Sequence, residues 1–294
     1  MAFAISLILG GISVGAVYAL IALGLNLTFL TTRTLNFGQG SLMMLCAVSA
    51  VLFTGMGMPL FAGLMCGVAL VGLVAALTES IAIRPIARVG GSMGWVVTTL
   101  GMGIFLQGFV AKYFGSQAFA FPSFLFSARD YVSVFGVRLS LQYLAILAIA
   151  VVLVVAFEIF LKRTAWGRAL QAVALDPDLA SVMGIPVRTV VTLSFIGSGV
   201  LAGIAGALVA QITGTVDAAF GFNLLIFGFV AAVIGGIGNS WGALAGGIFL
   251  GLTEKLVGGY ISTAAEQAIA FALLMVALAV RPEGLLGEKE FVKV

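Results

Sequence analysis

Residues 162–188 read KRTAWGRALQAVALDPDLASVMGIPVR, the one long polar segment in a chain that is 62% hydrophobic. It holds six charged residues, where the whole chain of 294 has 14 Lys or Arg and 11 Asp or Glu. Its local chemistry specifies a short helix. Asp176 is a good N-cap, Pro177 suits the first helical position, and Asp178 complements the positive end of the helix dipole. Residues 179–183 then supply about two turns, Gly184 fits the position just past the helix end, and Pro186 prevents continuation. Leu179, Val182, Met183 and Ile185 are left as an apolar face. A solvated loop needs neither the stops nor that face, whereas a groove on another protein would use both.

Outside this segment the chain seeks oil. Soluble domains carry about 25% charged residues, and this chain has 9% with a mean hydropathy of +1.24. Apolar runs fall at 4–30, 42–53, 59–83, 93–111, 141–161, 189–211, 222–237, 241–257 and 264–280. A spanning helix needs roughly 20 apolar residues, so the runs predict an all-α polytopic membrane protein with about 8–10 transmembrane helices. The run 42–53 is short by itself, and 222–257 is broken only by Gly235, Gly236, Gly238 and Asn239. The N-terminal run has no basic flank and continues past Ala19, so it reads as a retained first span and not as a cleaved leader.

Lysine and arginine set the orientation. With 33, 84–88, 162–188 and the C-terminal tail on the cytoplasmic side, that side takes ten of the 14 basic residues. They are Arg33, Arg84, Arg88, Lys162, Arg163, Arg168, Arg188, Arg281, Lys289 and Lys293. Lys112, Arg129, Arg138 and Lys255 fall opposite, and 112–138 becomes the main external segment. The net charge of +3 follows from this loop bias and does not call for nucleic acid. Gly11/Gly15, Gly63/Gly67, Gly199/Gly203, Gly242/Gly246 and Gly247/Gly251 are small pairs four apart, which let helices pack closely in lipid.

Enzyme readings fail on the residues. Histidine is absent, which removes His ligands and His bases. No Gly-Lys pair exists for a phosphate loop, and Gly197-Ser-Gly199-Val-Leu-Ala202 matches a dinucleotide fingerprint only inside a lipid-length run. No acidic cluster would hold a metal, and Cys46 and Cys66 read as small apolar residues. No catalytic residue, metal or cofactor is expected in the chain, and any ATP would be bound elsewhere. Glu79, Glu158, Glu254 and Lys255 fall near span ends, with Glu79 placed to pair with Arg84 and Glu158 with Lys162.

Polar residues that break spans are the candidates for a pathway. Asn26 and Thr28 end the first run, and TLNFGQG at 34–40 interrupts the chain before the short second run. Freed backbone there must line protein or a water-filled cavity, with Asn36 and Gln39 as partners for that backbone or for a solute. Thr34-Leu35-Asn36 with Gly38 is echoed by Thr215-Val216-Asp217 with Gly221, which puts Asp217 and Asn223 in the matching roles. The two stretches run in opposite directions, the pattern of inverted repeats with interrupted helices in transporters. Thr98, Thr99 and Gln107 form a weaker polar group on the fourth run.

The segment DPDLASVMGIPV at 176–187 resembles the cytoplasmic coupling loop of ABC import permeases. GAVYALIALGLNLTF (15–29), TLNFGQGSLMMLCA (34–47), FVAAVIGGIGNSWGALAGGIFLG (229–251) and RPEGLLGE (281–288) are similar to the permeases for branched-chain amino acids. The resemblance runs nearly end to end and implies an ABC importer permease fold forming one permease domain over 1–294. It also implies a multi-pass protein of the bacterial inner membrane with several partners. These are a second related permease subunit, two cytoplasmic ABC ATPases that bind ATP and Mg, and a periplasmic or lipid-anchored substrate-binding protein. Asp178, Ala180, Ser181 and Gly184 carry over as the coupling motif, joined by Asp176, Pro177 and Met183, with Arg168 as an electrostatic helper. Many relatives have Ala-His-Gly-Glu where this chain has Gly38-Gln39-Gly40-Ser41, so the cargo is open among hydrophobic amino acids and small carboxylates or amides. The rival readings are an ion-gradient-driven carrier and an ABC permease for urea, aromatic acids or sugars.

Overall fold

Each of the nine apolar runs carries a helix in the computed structural model, which describes residues 2–87, 94–115, 117–126, 130–134, 137–281 and 284–287. Arg88, Arg129, Lys289 and Lys293, used above for orientation, lie outside the described residues. The elements are α1 (Ala2–Thr32), α2 (Gln39–Gly55), α3 (Leu60–Thr78) continued by a π-helical turn (Glu79–Ile83), α4 (Arg84–Ala87) and α5 (Gly94–Phe114). Short strands β1 (Phe119–Ala120), β2 (Tyr131–Val134) and β3 (Val137–Ser140) follow, then α6 (Leu141–Arg163), α7 (Ala165–Leu175), α8 (Pro177–Val182) and α9 (Val187–Thr213). The chain ends with β4 (Thr215–Val216), α10 (Phe220–Gly235), α11 (Ser240–Tyr260) and α12 (Ala265–Val280).

Among the described residues five helices are long and apolar enough to cross a membrane, or six with the bent pair α10–α11 as one span. The other apolar helices, α2 and α12, are shorter. The expected eight to ten spans therefore resolve into five or six of full length plus shorter helices. The cause is local: the break before Gln39 and the positive φ of Gly57 cut α2 to 17 residues. Asn26 and Thr28 do not end α1, which continues to Thr32.

Contacts divide the chain into two units. One comprises Leu27–Phe126 and Val155–Leu225. Its centre is α2, α3 and α9, which pack through small residues. A Cβ on Gly67 would crowd the Cys46 carbonyl, one on Gly199 the Val71 carbonyl, and one on Gly206 the Met43 backbone. Backbones approach this closely because lipid supplies no hydrophobic drive, so packing and hydrogen bonds must hold the helices. Within this unit β1 pairs antiparallel with β4, Phe119 opposite Val216.

The second unit comprises Met1–Asn26, Ser127–Val154 and Ile226–Val294. Gly11 and Gly15 of α1 lie against the Gly251 and Gly247 carbonyls of α11. Helices α10 and α11 meet at a 119° bend, where Gly236 and Gly238 have φ of 105° and 93°. Asn239 Oδ1 caps α11 by accepting the Trp241 and Gly242 N–H groups at 2.9 and 3.0 Å. The break read from the glycines is thus a real one. The tail docks on it, with Leu285 and Leu286 N–H donating to the Ile234 and Gly235 carbonyls.

Candidate functional site

The polar loop builds a small platform. Thr164 caps α7 by accepting the Gly167 N–H at 2.9 Å. Asp176 Oδ1 caps α8, accepting the N–H groups of Asp178 and Leu179, each at 3.0 Å. Pro177 is the first residue of α8, and Gly184 has the positive φ (82°) of a helix stop. The inward face is Ala180, packed with Leu161, Leu170, Val173, Val190 and Leu27.

The outward face is different. Leu175, Leu179, Val182 and Met183 are 86, 60, 85 and 79% exposed, and Arg168, Asp178, Ser181 and Gly184 are exposed beside them. Such a run of large apolar side chains, held on a doubly capped turn, has the form of a docking knob. The start and stop of α8 match the sequence expectation. Helix α7 was not anticipated; the signal was Thr164 three residues before Gly167, followed by the Leu170/Val173 stripe.

The interrupted segment and its echo share one geometry. Asn36 Oδ1 accepts the Gly38 N–H at 3.0 Å, and Gln39 N–H donates to the Asn36 carbonyl at 3.1 Å. Asp217 Oδ1 accepts the Ala219 N–H at 2.8 Å, and Phe220 N–H donates to the Asp217 carbonyl at 3.3 Å. Each is an Asx turn that opens a helix. Four residues further on, Gly40 of α2 and Gly221 of α10 touch: a Cβ on either would overlap the other's carbonyl. The turn register therefore pairs Gly40, and not Gly38, with Gly221, and pairs Gln39 with Phe220 instead of Asn223.

The remaining candidates separate. Gln39 is fully buried at the start of α2, and Asn36 is 1% exposed. Asn223 is exposed on α10. Asn26, on the other unit, is 2% exposed and donates through Nδ2 to the Asn239 carbonyl at 3.2 Å, which makes it a staple at the α10–α11 bend. Thr99 folds its hydroxyl back on the Trp95 carbonyl at 2.8 Å.

The expected ion pairs form, Arg84 Nη2 to Glu79 Oε2 at 2.6 Å and Lys162 to Glu158 at 2.8 Å. Glu254 departs from expectation. It is 5% exposed inside α11, beside Lys255 at 3.4 Å, and not at the end of a span. Gln211 was missed altogether. From α9 it accepts the Phe124 N–H at 2.9 Å and donates to the Phe126 carbonyl at 3.0 Å, clamping the aromatic segment that follows β1. Nothing in the sequence distinguishes it from any other glutamine near a helix end.

The chain matches, over residues 7–278, the family described as branched-chain amino acid transport system, permease component. It is 32% identical to the high-affinity branched-chain amino acid transport system permease protein LivH of Escherichia coli K12, covering 97% of this chain and 96% of that one. It is 29% identical to the corresponding protein BraD of Pseudomonas aeruginosa, covering 98% and 97%. A probable branched-chain amino acid transport permease protein LivH of Methanocaldococcus jannaschii is 29% identical over 95% and 91%. With its apolar helices and this match, the chain is a multi-pass membrane protein that belongs to the branched-chain amino acid transport permease family.

Proposed function

We propose that the chain is the transmembrane permease subunit of an ATP-driven importer for branched-chain or related hydrophobic amino acids in a bacterial inner membrane. The family implies a transporter complex with ATPase and substrate-binding partners. In this reading two separate ATPases bind ATP and Mg at the cytoplasmic face, a second permease subunit completes the pathway, and an external binding protein delivers the cargo. The observation that carries it is the outward apolar face of α8. Burying Leu179, Val182 and Met183 in a partner groove would contribute on the order of 1.5–3 kcal/mol each, enough to make a mechanical joint. Arg168 and Asp178 would orient the joint, while Ala180 anchors it to the spans.

Asn36, Gln39, Asp217 and Asn223, at the paired helix starts, are proposed to border the route, with Asn26 holding the α10–α11 break on its own unit. Reconstituting the full complex in liposomes tests the reading. Leucine uptake should require ATP and both kinds of partner, and uptake by this chain alone under an ion gradient would sink it. Gly184→Arg should stop the ATPases from co-purifying or from responding to substrate. Survival of both properties would refute the role assigned to α8.

A further inference from the structure

Asp217 carries a charge that its turn does not need. Its Oδ1 holds the Ala219 N–H, and Asn36 makes the same turn at the start of α2 with a neutral amide. The geometry is thus satisfied without an anion. Asp217 makes no ion pair among the described residues, and its Oδ2 makes no hydrogen bond there, although a carboxylate has about four acceptor positions. Asp217 lies in the turn between β4 and α10, half-buried, with this second carboxylate oxygen left for a ligand.

Asp217 borders a cleft of about 450 Å³ lined by Ile104, Gln107, Gly108, Ala111, Ala218 and Ala219. It is an open cleft, with Ile104 on its wall 68% exposed. Gln107 is the second polar group. It sits two-thirds of the way along the apolar helix α5, and its side-chain amide makes no hydrogen bond among the described residues. Two polar groups 110 positions apart in the chain therefore face one apolar-walled cleft, one an anion and one a neutral donor and acceptor.

We infer that this cleft binds a neutral amino acid, with Asp217 taking the α-ammonium, the Gln107 amide donating to the carboxylate, and Ile104, Gly108 and Ala111 receiving the apolar side chain. The charges balance: the one protein anion meets the ligand's one cation, and the ligand's carboxylate needs only a neutral donor. The inference rests on the importer reading above and specifies how its cargo is recognised.

Cysteine protection tests it in the complex purified through a tag on this chain. Exposed Cys66 is replaced by Ser, buried Cys46 is left in place, and Ala218→Cys or, on the other wall, Ala111→Cys reports labelling by a soluble maleimide. L-leucine and 3-methylbutylamine should slow labelling at both reporters, whereas 4-methylpentanoate should not. Asp217→Asn should raise the amine concentration for half-protection by about threefold to tenfold, because the ammonium loses its one charged partner. Gln107→Leu should weaken protection by leucine and spare protection by the amine. That split would not arise from a general loosening of the fold. Labelling indifferent to the amine, or protection that persists unchanged in Asp217→Asn, overturns the site. ATP-driven leucine uptake is measured on the same preparation. Uptake without protection removes the cleft and leaves the importer, while protection without uptake removes the importer and leaves the cleft.

Discussion

Gly40 and Gly221 meet backbone to backbone, each four residues after the Asx turn that opens its helix. Their contact joins the two halves of the sequence echo at one crossing, and neither glycine leaves room for a methyl group. Crossings of this closeness between helices are otherwise made in lipid by small residues at regular spacing; here the spacing is set by the turns.

Gly221→Ala should therefore destabilise the protein by about 1–3 kcal/mol through overpacking. Gly101→Ala, in α5 where a Cβ meets nothing within 4 Å, is the control and should be neutral or slightly stabilising. Thermal unfolding of the detergent-solubilised protein compares them, and equal midpoints would remove the crossing from the account.

Asp176→Ala removes the acceptor for two N–H groups of α8 and should cost about 1 kcal/mol of local helix stability. Asp176→Asn, which still caps, should recover most of it. Amide exchange at 178–183 reads this directly: faster exchange in the alanine variant only is the expected pattern.

Val182→Asp and Met183→Asp place charges on side chains that are 85 and 79% exposed, so folding should change by less than about 0.5 kcal/mol. Binding of the ATPases should nevertheless weaken on the order of tenfold or more, the loss of one desolvated apolar anchor. Pull-down with purified ATPase subunits measures it. Unchanged retention would mean that the exposed face of α8 is not the joint.

Gln211→Leu should release the segment held by its amide. Two hydrogen bonds are lost, at about 0.5–1.5 kcal/mol net each, and the Phe124 amide should exchange faster with solvent. Because β4 precedes the Asp217 turn and pairs with β1, uptake through the external binding protein should slow while basal ATP hydrolysis stays near the parent value.

The legible parts of this protein were those encoded within one or two turns of chain. The nine apolar helices among the described residues, the glycine break before Asn239, the capped helix at 176–184 and the Glu79–Arg84 and Glu158–Lys162 pairs are all local. Each depends on residues close in sequence acting through caps, φ preferences or helical spacing. Hydropathy likewise located every apolar helix, because each must satisfy its own backbone in lipid.

What lies far apart in the chain was not legible. Gln107 read as a weak polar residue until packing set it beside Asp217. Gln211 gave no signal, since its partners are backbone groups about 85 positions away. Asn26 read as a pathway residue, and the structure adds a bond from its amide to the Asn239 carbonyl. Glu254 read as interfacial and is buried. The sequence alone determined the kind of protein and the capped helix at 176–184, because composition and capping are short-range properties. Tertiary structure alone decided which polar side chains are spent on the fold and which face an open cleft, because that depends on where distant backbones come close enough to satisfy them.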